Sequence, residues 1–354
     1  MGSSLVGISN WGNMFRNPNL LGKSLVFVIT FLFLVKIGAA QTGLASPPIA
    51  DPRDTRFQGV SEDWTTPSLT TSHLLPIQPM RAYVNDEDSY TVELLQMQWR
   101  WGDPIDLYVV LPKGIKKPPV ILYLYNYMSD TDSFRNPQWQ KAVTKDGFAA
   151  VGFVSALSGH RYHDRPMTEW FVSELQESLA VSAHDVQLVL DYLSARGDLN
   201  MERVGMFGQG SGASIAILAS AADPRIKVLD IIDPWGDWPA WMAGSPIIPD
   251  DERPNYEKPE FLKKAGTLEP VEWMPKVQAK KFRLQDASFD AATPPKAKEK
   301  LRASAPRGGT VVIYKTTEDF NAVIRANQQL DWIHNELRAL PDGGTAAAAV
   351  ARKR

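Results

Sequence analysis

The stretch VGMFGQGSGASIA, residues 204–216, decides the fold. It begins with an apolar run typical of a buried strand and ends with a run of small and apolar residues typical of a buried helix. Glycines at positions 208, 210 and 212 separate the two runs and permit a sharp turn between them. The stretch therefore predicts a strand–turn–helix unit.

Segments on both sides of this unit alternate between strand-like and helix-like patterns. PVILYLY, residues 119–125, is apolar on both faces, as expected for a central strand covered by helices. SLAVSAHDVQLVLDYLSAR, residues 178–196, spaces its leucines and valines for one helical face. This alternation predicts an α/β protein with a doubly wound, mostly parallel sheet. The other strand-like runs are YTVELLQMQW, PIDLYVVLPKG, GFAAVGFVS, IKVLDIID, AKKFRLQDASFD and GTVVIYK.

Composition divides the chain after residue 40 into three parts. Residues 41–88 are rich in Pro, Ser and Thr without a helical or strand period, which predicts an extended arm. Residues 89–340 carry the alternating pattern and form the predicted α/β domain. Within it, the long Pro-rich and aromatic stretch at about 234–276 predicts an inserted cap over the carboxyl edge of the sheet. The low-complexity residues 341–354 predict a disordered tail.

Residues 1–40 predict an export signal. A short apolar run follows Lys23, and small residues precede the expected cleavage after Ala40. The alternative is a retained membrane anchor, because Lys36 lies late and the segment before the apolar run is long. Translation that begins at Met14 would give a leader of ordinary length. Both interpretations place the folded part outside the cytoplasm, in the periplasm or secreted.

Charge and composition exclude several classes of function. The 354 residues carry a formal net charge of −2, which argues against nucleic acid as a partner. The chain has no cysteine, so disulfides, thiolate nucleophiles and cysteine zinc sites are excluded. We predict no cofactor and no metal, and a small molecule or a protein as the partner.

Five landmarks in chain order resemble the α/β-hydrolase superfamily, and most of all its dienelactone-hydrolase and prolyl-oligopeptidase-like branch. They are an opening hairpin, the strand PVILYLYNY, the turn RVGMFGQGSGA, the strand IKVLDIIDPWGDW and the loop FDAATPP. The resemblance covers about Tyr90 to Leu340. It implies a hydrolase-type sheet with an inserted cap, and a triad in the order nucleophile, acid, histidine.

The nucleophile position of this family is the third residue of G-x-S-x-G, and here it holds Gly210. Ser211 follows one position later and is an alternative nucleophile. The other interpretation is that its hydroxyl forms a hydrogen bond within the first turn of its own helix. The family also implies an oxyanion hole formed by the Ser211 amide and an amide near Asn126 or Tyr127.

The acid and histidine positions complete the comparison with the family. The acid falls on Asp290, with Asp233 and Asp237 as alternatives just after the preceding strand. The histidine falls on Asp319, and no histidine lies between positions 185 and 333. A solvated carboxylate, with a pKa of about 4, is a poor base near neutral pH. The resemblance therefore implies a degenerate triad; the alternative is an active esterase or peptidase-like enzyme using Ser211 or a substitute base.

The remaining histidines have separate interpretations. His160, His163 and Asp164 lie in SGHRYHDRP after a strand end, where they form half a metal site, a substitute base or structural hydrogen bonds. His184 is expected to open a helix as a packing or capping residue. His334 is expected on the surface of the last helix.

Aromatic residues mark the beginning of the cap. Trp235 and Trp238 stand in DPWGDWPAWM. They either line the cleft as a stacking wall for a sugar ring, an aryl ester or a hydrophobic peptide, or close the core beneath the cap. A third hypothesis of function is an envelope structural or assembly factor that uses the arm and the cap as contact surfaces.

Overall fold

A computed structural model describes residues 61–74, 78–127, 129–157, 161, 172–326 and 328–341. The predicted export signal, the beginning of the arm, His160, His163 and the tail from residue 342 lie outside these residues. None of the helices within the described ranges combines the length and the apolar character needed to cross a membrane.

Nine strands of the described chain form one sheet in the order β1-β2-β3-β5-β4-β6-β7-β8-β9. The strands β1, β2, β3 and β5 pair antiparallel, and every pair from β5 to β9 is parallel. The predicted doubly wound, mostly parallel sheet is therefore confirmed. The strands are β1 Met80–Asp86, β2 Tyr90–Met97, β3 Ile105–Pro112, β4 Pro119–Leu124, β5 Ala149–Phe153, β6 Asn200–Gln209, β7 Ile226–Ile232, β8 Lys281–Ala287 and β9 Thr310–Tyr314.

Helices cover both faces of this sheet. Leu179 and Ile217 of α3 and α4 belong to one buried cluster, and Val143 and Ile333 of α2 and α11 belong to the other. The helix α4 is apolar all round because it lies between the sheet, α3 and α8. The α-helices are α1 Asp130–Arg135, α2 Pro137–Thr144, α3 Leu175–Arg196, α4 Ser211–Ala222, α5 Trp238–Gly244, α6 Arg253–Tyr256, α7 Pro259–Ala265, α8 Pro270–Trp273, α9 Pro295–Ala303, α10 Thr317–Arg325 and α11 Asp331–Ala339.

The end of the predicted arm belongs to the folded domain. Strand β1 lies within it and pairs antiparallel with β2 at the edge of the sheet. Upstream of β1, the Leu69 amide donates to Gln187 Oε1 on α3 at 3.0 Å, and Gln187 Nε2 donates to the Pro67 carbonyl at 2.7 Å. Every residue of β1 is exposed, so the strand buries neither of its faces in the core.

The predicted insertion lies between β7 and β8 and contains α5 to α8. Helices α7 and α8 pack against α3 and α4, while α5 packs against α9. Leu268 and Met274 are buried in the same cluster as α3 and α4. This apolar contact places α7 and α8 beside one helical layer, where we had expected a cap over the sheet edge.

Candidate functional site

The central residue of the turn between β6 and α4 is Gly210, and its backbone has a positive φ. Gly210 has φ 57° and ψ −122°, a conformation that side-chain-bearing residues rarely adopt. Its amide donates to the Ile232 carbonyl at 2.9 Å. A Cβ atom at this position would lie 3.2–3.3 Å from the side chain of Asn126. The nucleophile position therefore faces the loop after β4, and it carries no reactive atom.

Ser211 is fully buried at the first position of α4. Its hydroxyl donates to Asn126 Oδ1 at 3.1 Å and lies 3.0 Å from the Tyr127 amide, which donates to it. Both of these hydrogen bonds go to the loop after β4 and neither goes to the first turn of α4, where we had expected the hydroxyl to bond. It connects α4 to the loop after β4. The Tyr127 amide, one of the two expected oxyanion donors, is therefore directed at a hydroxyl of the protein itself.

Asp290, at the acid position, belongs to a cluster of charges around Lys298. Lys298 Nζ lies 3.5 Å from Asp233, 3.4 Å from Asp286 and 4.0 Å from Asp290. It also donates to the carbonyl of Ala287. Burial raises the pKa of Asp290, and Lys298 opposes that rise. We call these four charged residues, with Arg302 bound to Asp286, the Lys298 cluster.

Within the Lys298 cluster, Asp233 shows two signs of a functional position. Its backbone is left-handed, with φ 45°, and its Oδ1 accepts from the Ala287 amide at 2.8 Å. Burial, with a smaller contribution from Asp290, raises its pKa to about 7 against the attraction of Lys298. Strain and a perturbed pKa at the carboxyl end of a strand are features of functional sites. The sequence indicated Asp233 only as an alternative acid.

Replacing Asp233 with asparagine should stabilise the protein more at pH 8 than at pH 5. A raised folded-state pKa favours folding below the unfolded value of about 4, and this contribution is lost as the pH rises through about 7. Asparagine keeps the acceptor for Ala287 and tolerates positive φ. Urea unfolding should show that the substitution raises the free energy of unfolding more at pH 8 than at pH 5, by on the order of a few kcal/mol. An equal difference between wild type and variant at the two pH values would contradict the raised pKa.

Trp235 and Trp238 lie in the core. Their exposed fractions are 1% and 0%, and both rings pack on Trp241. Side chains so fully covered offer no surface for stacking a ligand. Their burial supports the interpretation that they close the core, and it gives no support to a stacking wall.

Asp319, at the position of the family's histidine, caps a helix. Its carboxylate accepts from the Thr316 amide at 3.2 Å, and its own amide donates to Thr316 Oγ1 at 3.1 Å. These reciprocal bonds form a capping box at the exposed beginning of α10. The residue therefore has a structural partner at this position.

The described histidines on α3 and α11 are buried, and both differ from expectation. His184 lies in the middle of α3, where we had expected a helix beginning, and its Nδ1 is 2.6 Å from Glu62 Oε1. His334 is buried, where we had expected it on the surface: its ring stacks on Phe148 and Nδ1 lies 3.0 Å from Asp146 Oδ2. Amphipathic spacing did not show how these two histidines are buried, because each ring is paired with a carboxylate from a distant segment of the chain.

A buried ionic network was not predicted. Asp185 on α3 binds both Arg100 and Arg161, at 2.5 and 2.6 Å. Arg161 also binds Asp103 at 2.7 Å, and Arg100 binds Glu62 at 2.5 Å. We call these five residues the Asp185 network. Arg161 stands between His160 and His163 in the chain, so the network fixes the one described residue of that segment.

Across the described ranges, no group of three or more His, Asp and Glu side chains is arranged to hold a metal ion. The potential metal ligands His160 and His163 lie outside those ranges.

Comparisons with known proteins agree with this geometry. No family model matches the sequence. The protein named "Putative hydrolase YtaP" of Bacillus subtilis (strain 168) is 23% identical over 168 residues, which cover 43% of this chain and 56% of that protein. The match therefore spans little more than half the length of that relative.

Solved structures match a larger share of the chain. Acetyl xylan esterase 1 from Thermoanaerobacterium sp. JW/SL YS485 superposes with a TM-score of 0.57 at 12% identity, over 71% of this chain and 86% of that one. Acetyl xylan esterase from Paenibacillus sp. R4 gives 0.54 at 18% identity, over 72% and 88%. Methylesterase BT1017 gives 0.53 at 16% identity, over 74% and 59%. Likeness at these identities establishes the fold: the chain has the α/β-hydrolase fold implied by its sequence landmarks.

Proposed function

We propose that this α/β-hydrolase-fold protein does not perform the serine chemistry of its fold and instead binds a small molecule or a protein through the former active-site region. The observation that carries the proposal is Gly210 in the nucleophile turn, with φ 57° and no side chain to attack a carbonyl. Loss of the nucleophile alone removes about a millionfold of rate in serine enzymes of this kind.

The surroundings of Ser211 add to this argument. A serine becomes a nucleophile when a neighbouring base accepts its proton. The Ser211 proton is instead donated to Asn126 Oδ1, an amide oxygen that is not a base at neutral pH. The oxygen is also 3.0 Å from the Tyr127 amide that donates to it, and the residue is fully buried. Attack by Ser211 would require both bonds to rearrange.

Binding does not need the nucleophile. The helix α4 is 12 residues long and begins at the turn, so its N-terminal amides and dipole favour an anion or a carbonyl oxygen there. A ligand oxygen that replaced Ser211 Oγ would accept the hydrogen bond of the Tyr127 amide. The former active-site region would then recognise an acyl or carboxylate group without turnover.

The second candidate is an active esterase or peptidase-like hydrolase. In its favour, Ser211 lies one residue from the nucleophile position, and its oxygen already contacts an amide of the expected oxyanion loop. The base would be a side chain such as His160 or His163. The names of the esterases with the same fold make ester hydrolysis the reaction to test.

A fluorophosphonate probe and a panel of short acyl esters separate the two candidates. We expect wild-type protein neither to be labelled nor to turn over esters, because position 210 has no hydroxyl and the Ser211 hydroxyl donates to an amide oxygen rather than to a base. Ser211→Ala should behave identically. The variant Gly210→Ser/Asp319→His should be labelled, because it places a serine hydroxyl at the nucleophile position of the turn and a histidine at the position of the family's base.

Labelling of the wild type that disappears in Ser211→Ala would overturn the proposal and support the active hydrolase. Thermal unfolding of each variant serves as the control. It distinguishes a folded protein that is not labelled from a protein that has unfolded. The control is needed because a serine at position 210 would have to adopt a strained backbone conformation.

A further inference from the structure

Residues 61–74, which we call the strap, fold back on themselves and are bound to α3. The His73 amide donates to the Ser61 carbonyl at 2.8 Å and closes the segment. Two side chains of α3 that lie about one turn apart, His184 and Gln187, form hydrogen bonds with the strap. A short stretch of one buried helix therefore holds this segment of the chain.

His184 faces a hydrogen-bond acceptor at each of its ring nitrogens. Nδ1 lies 2.6 Å from Glu62 Oε1, and Nε2 lies 3.0 Å from the Thr66 carbonyl oxygen. A neutral imidazole has one donor nitrogen and one acceptor nitrogen, so it can form only one of these two hydrogen bonds. Both contacts are hydrogen bonds only when both nitrogens carry a proton, which is the charged imidazolium form of the ring.

Glu62 is not the donor in its contact with His184. Both of its carboxylate oxygens accept from Arg100, Oε1 at 2.5 Å and Oε2 at 2.6 Å. Burial raises the pKa of the Glu62 carboxyl, but the hydrogen bonds from Arg100 and His184 outweigh burial and lower that pKa to about 2. The carboxyl is therefore ionised at neutral pH, and the proton between the two side chains belongs to His184.

The buried charges around His184 also favour the imidazolium form. The Asp185 network contains three carboxylates and two guanidinium groups, so it is one positive charge short of neutral. His184 has no exposed surface and joins the network through Glu62. Buried charge is costly unless it is paired, and a protonated His184 supplies the missing charge. The charged groups in the segments packed around the ring are Glu62 and Asp63 of the strap, Arg100 and Asp103 between β2 and β3, Arg161, and Asp185 of α3.

We propose that His184 is a pH-sensitive contact that holds the strap against α3 while both of its ring nitrogens are protonated. When the pH rises, the ring gives one proton to solvent, and that proton leaves Nε2 because Nδ1 faces the Glu62 carboxylate. The lone pair of Nε2 then faces the Thr66 carbonyl oxygen at 3.0 Å, and two acceptors at this distance repel each other. Glu62 stays bound to Arg100, so the strap loosens at Thr66 and at the neighbouring hydrogen bonds to Gln187.

Nuclear magnetic resonance of the full chain, labelled with ¹⁵N-histidine, tests the protonation state of His184. The signals of His184 are identified by substituting the other four of the five histidines in turn. We expect both ring nitrogens of His184 to carry a proton at about pH 7.5, where free histidine has mostly lost one. A His184 ring with a single protonated nitrogen at this pH would overturn the proposal.

Hydrogen exchange of the wild-type protein between about pH 7 and about pH 10 tests the loosening of the strap. The Leu69 amide donates to Gln187 Oε1 and reports on the strap. After correction for the intrinsic pH dependence of exchange, this amide should exchange roughly tenfold faster once His184 has lost its proton, the factor expected for one lost hydrogen bond. The amides of β7, in the centre of the sheet, should not change. A corrected Leu69 rate that stays constant up to about pH 10 would refute the release of the strap.

His184→Gln separates the titration of this ring from other effects of pH. Glutamine keeps a donor for the strap and does not titrate, so the corrected exchange rate of Leu69 should no longer depend on pH. His334→Gln is the matched control, because His334 is also buried and paired with a carboxylate, that of Asp146, but lies on α11. It should keep the pH dependence of the wild type. A pH dependence that persists in His184→Gln, or that disappears in His334→Gln, would contradict the assignment to His184. If His184→Gln does not fold, the two wild-type measurements still decide.

Discussion

Replacing Asp185 with alanine should destabilise the protein by about 3–5 kcal/mol, because it leaves buried charges without their partner. Asp185 has no exposed surface and accepts from Arg100, Arg161 and the indole of Trp99. Burial raises the pKa of its carboxyl, but the two guanidinium groups outweigh burial and hold that pKa below its usual value. Alanine would leave both arginines, themselves almost wholly buried, with fewer acceptors than donors.

Asp191→Ala provides the control on the same helix. Asp191 binds Arg225 at 2.6 Å, but 46% of its side chain is exposed, so solvent screens the pair. Its removal should cost less than about 1 kcal/mol. Urea unfolding of both variants measures the difference. Equal losses for the two variants would show that the Asp185 network does not hold α3 to the segments around it.

The strands of the sheet centre could be predicted because burial on both faces leaves a continuous apolar run. PVILYLY became β4 for this reason, and VGMFGQ became the end of β6. The edge strand β1 was not predicted, because its side chains are exposed on both faces and no continuous apolar run marks it in the sequence.

Buried polar residues escaped prediction for a different reason. The partner of His184 is Glu62, 122 positions away, and Trp99 reaches Asp185 across 86 positions. A sequence pattern records which residues share one helical face, but it does not record which distant carboxylate will meet a polar side chain on that face. Only the folded arrangement of the arm, the connection between β2 and β3, and α3 brings these groups together.

The candidate site was partly predictable. Glycine spacing located the turn at Gly210, and chain order placed the loop of Asn126 and Tyr127 beside it; in the structure Ser211 forms hydrogen bonds with both residues. The direction of the Ser211 hydroxyl was not predictable, because it depends on how closely α4 approaches the end of β4.

Replacing Gly212 with alanine should destabilise the protein by about 3 kcal/mol, because it forces two backbones apart. A Cβ atom at 212 would lie 2.2 Å from the Leu124 carbonyl oxygen and 2.5 Å from its carbon. A flexible side chain could rotate away from such a contact, whereas a central strand cannot. The helix α4 would therefore have to move off β4.

Gly266→Ala is the matched control, since Gly266 has helical φ of −63° and open space around it. It should leave stability unchanged or raise it by about 0.4–1 kcal/mol, because alanine restricts the unfolded chain. Thermal unfolding of the two variants compares the same chemical change in two settings. Equal effects would refute the close approach of α4 to β4. A large loss confined to Gly212→Ala would support the close approach of α4 to the end of β4, which is where the Ser211 hydroxyl contacts Asn126 and Tyr127.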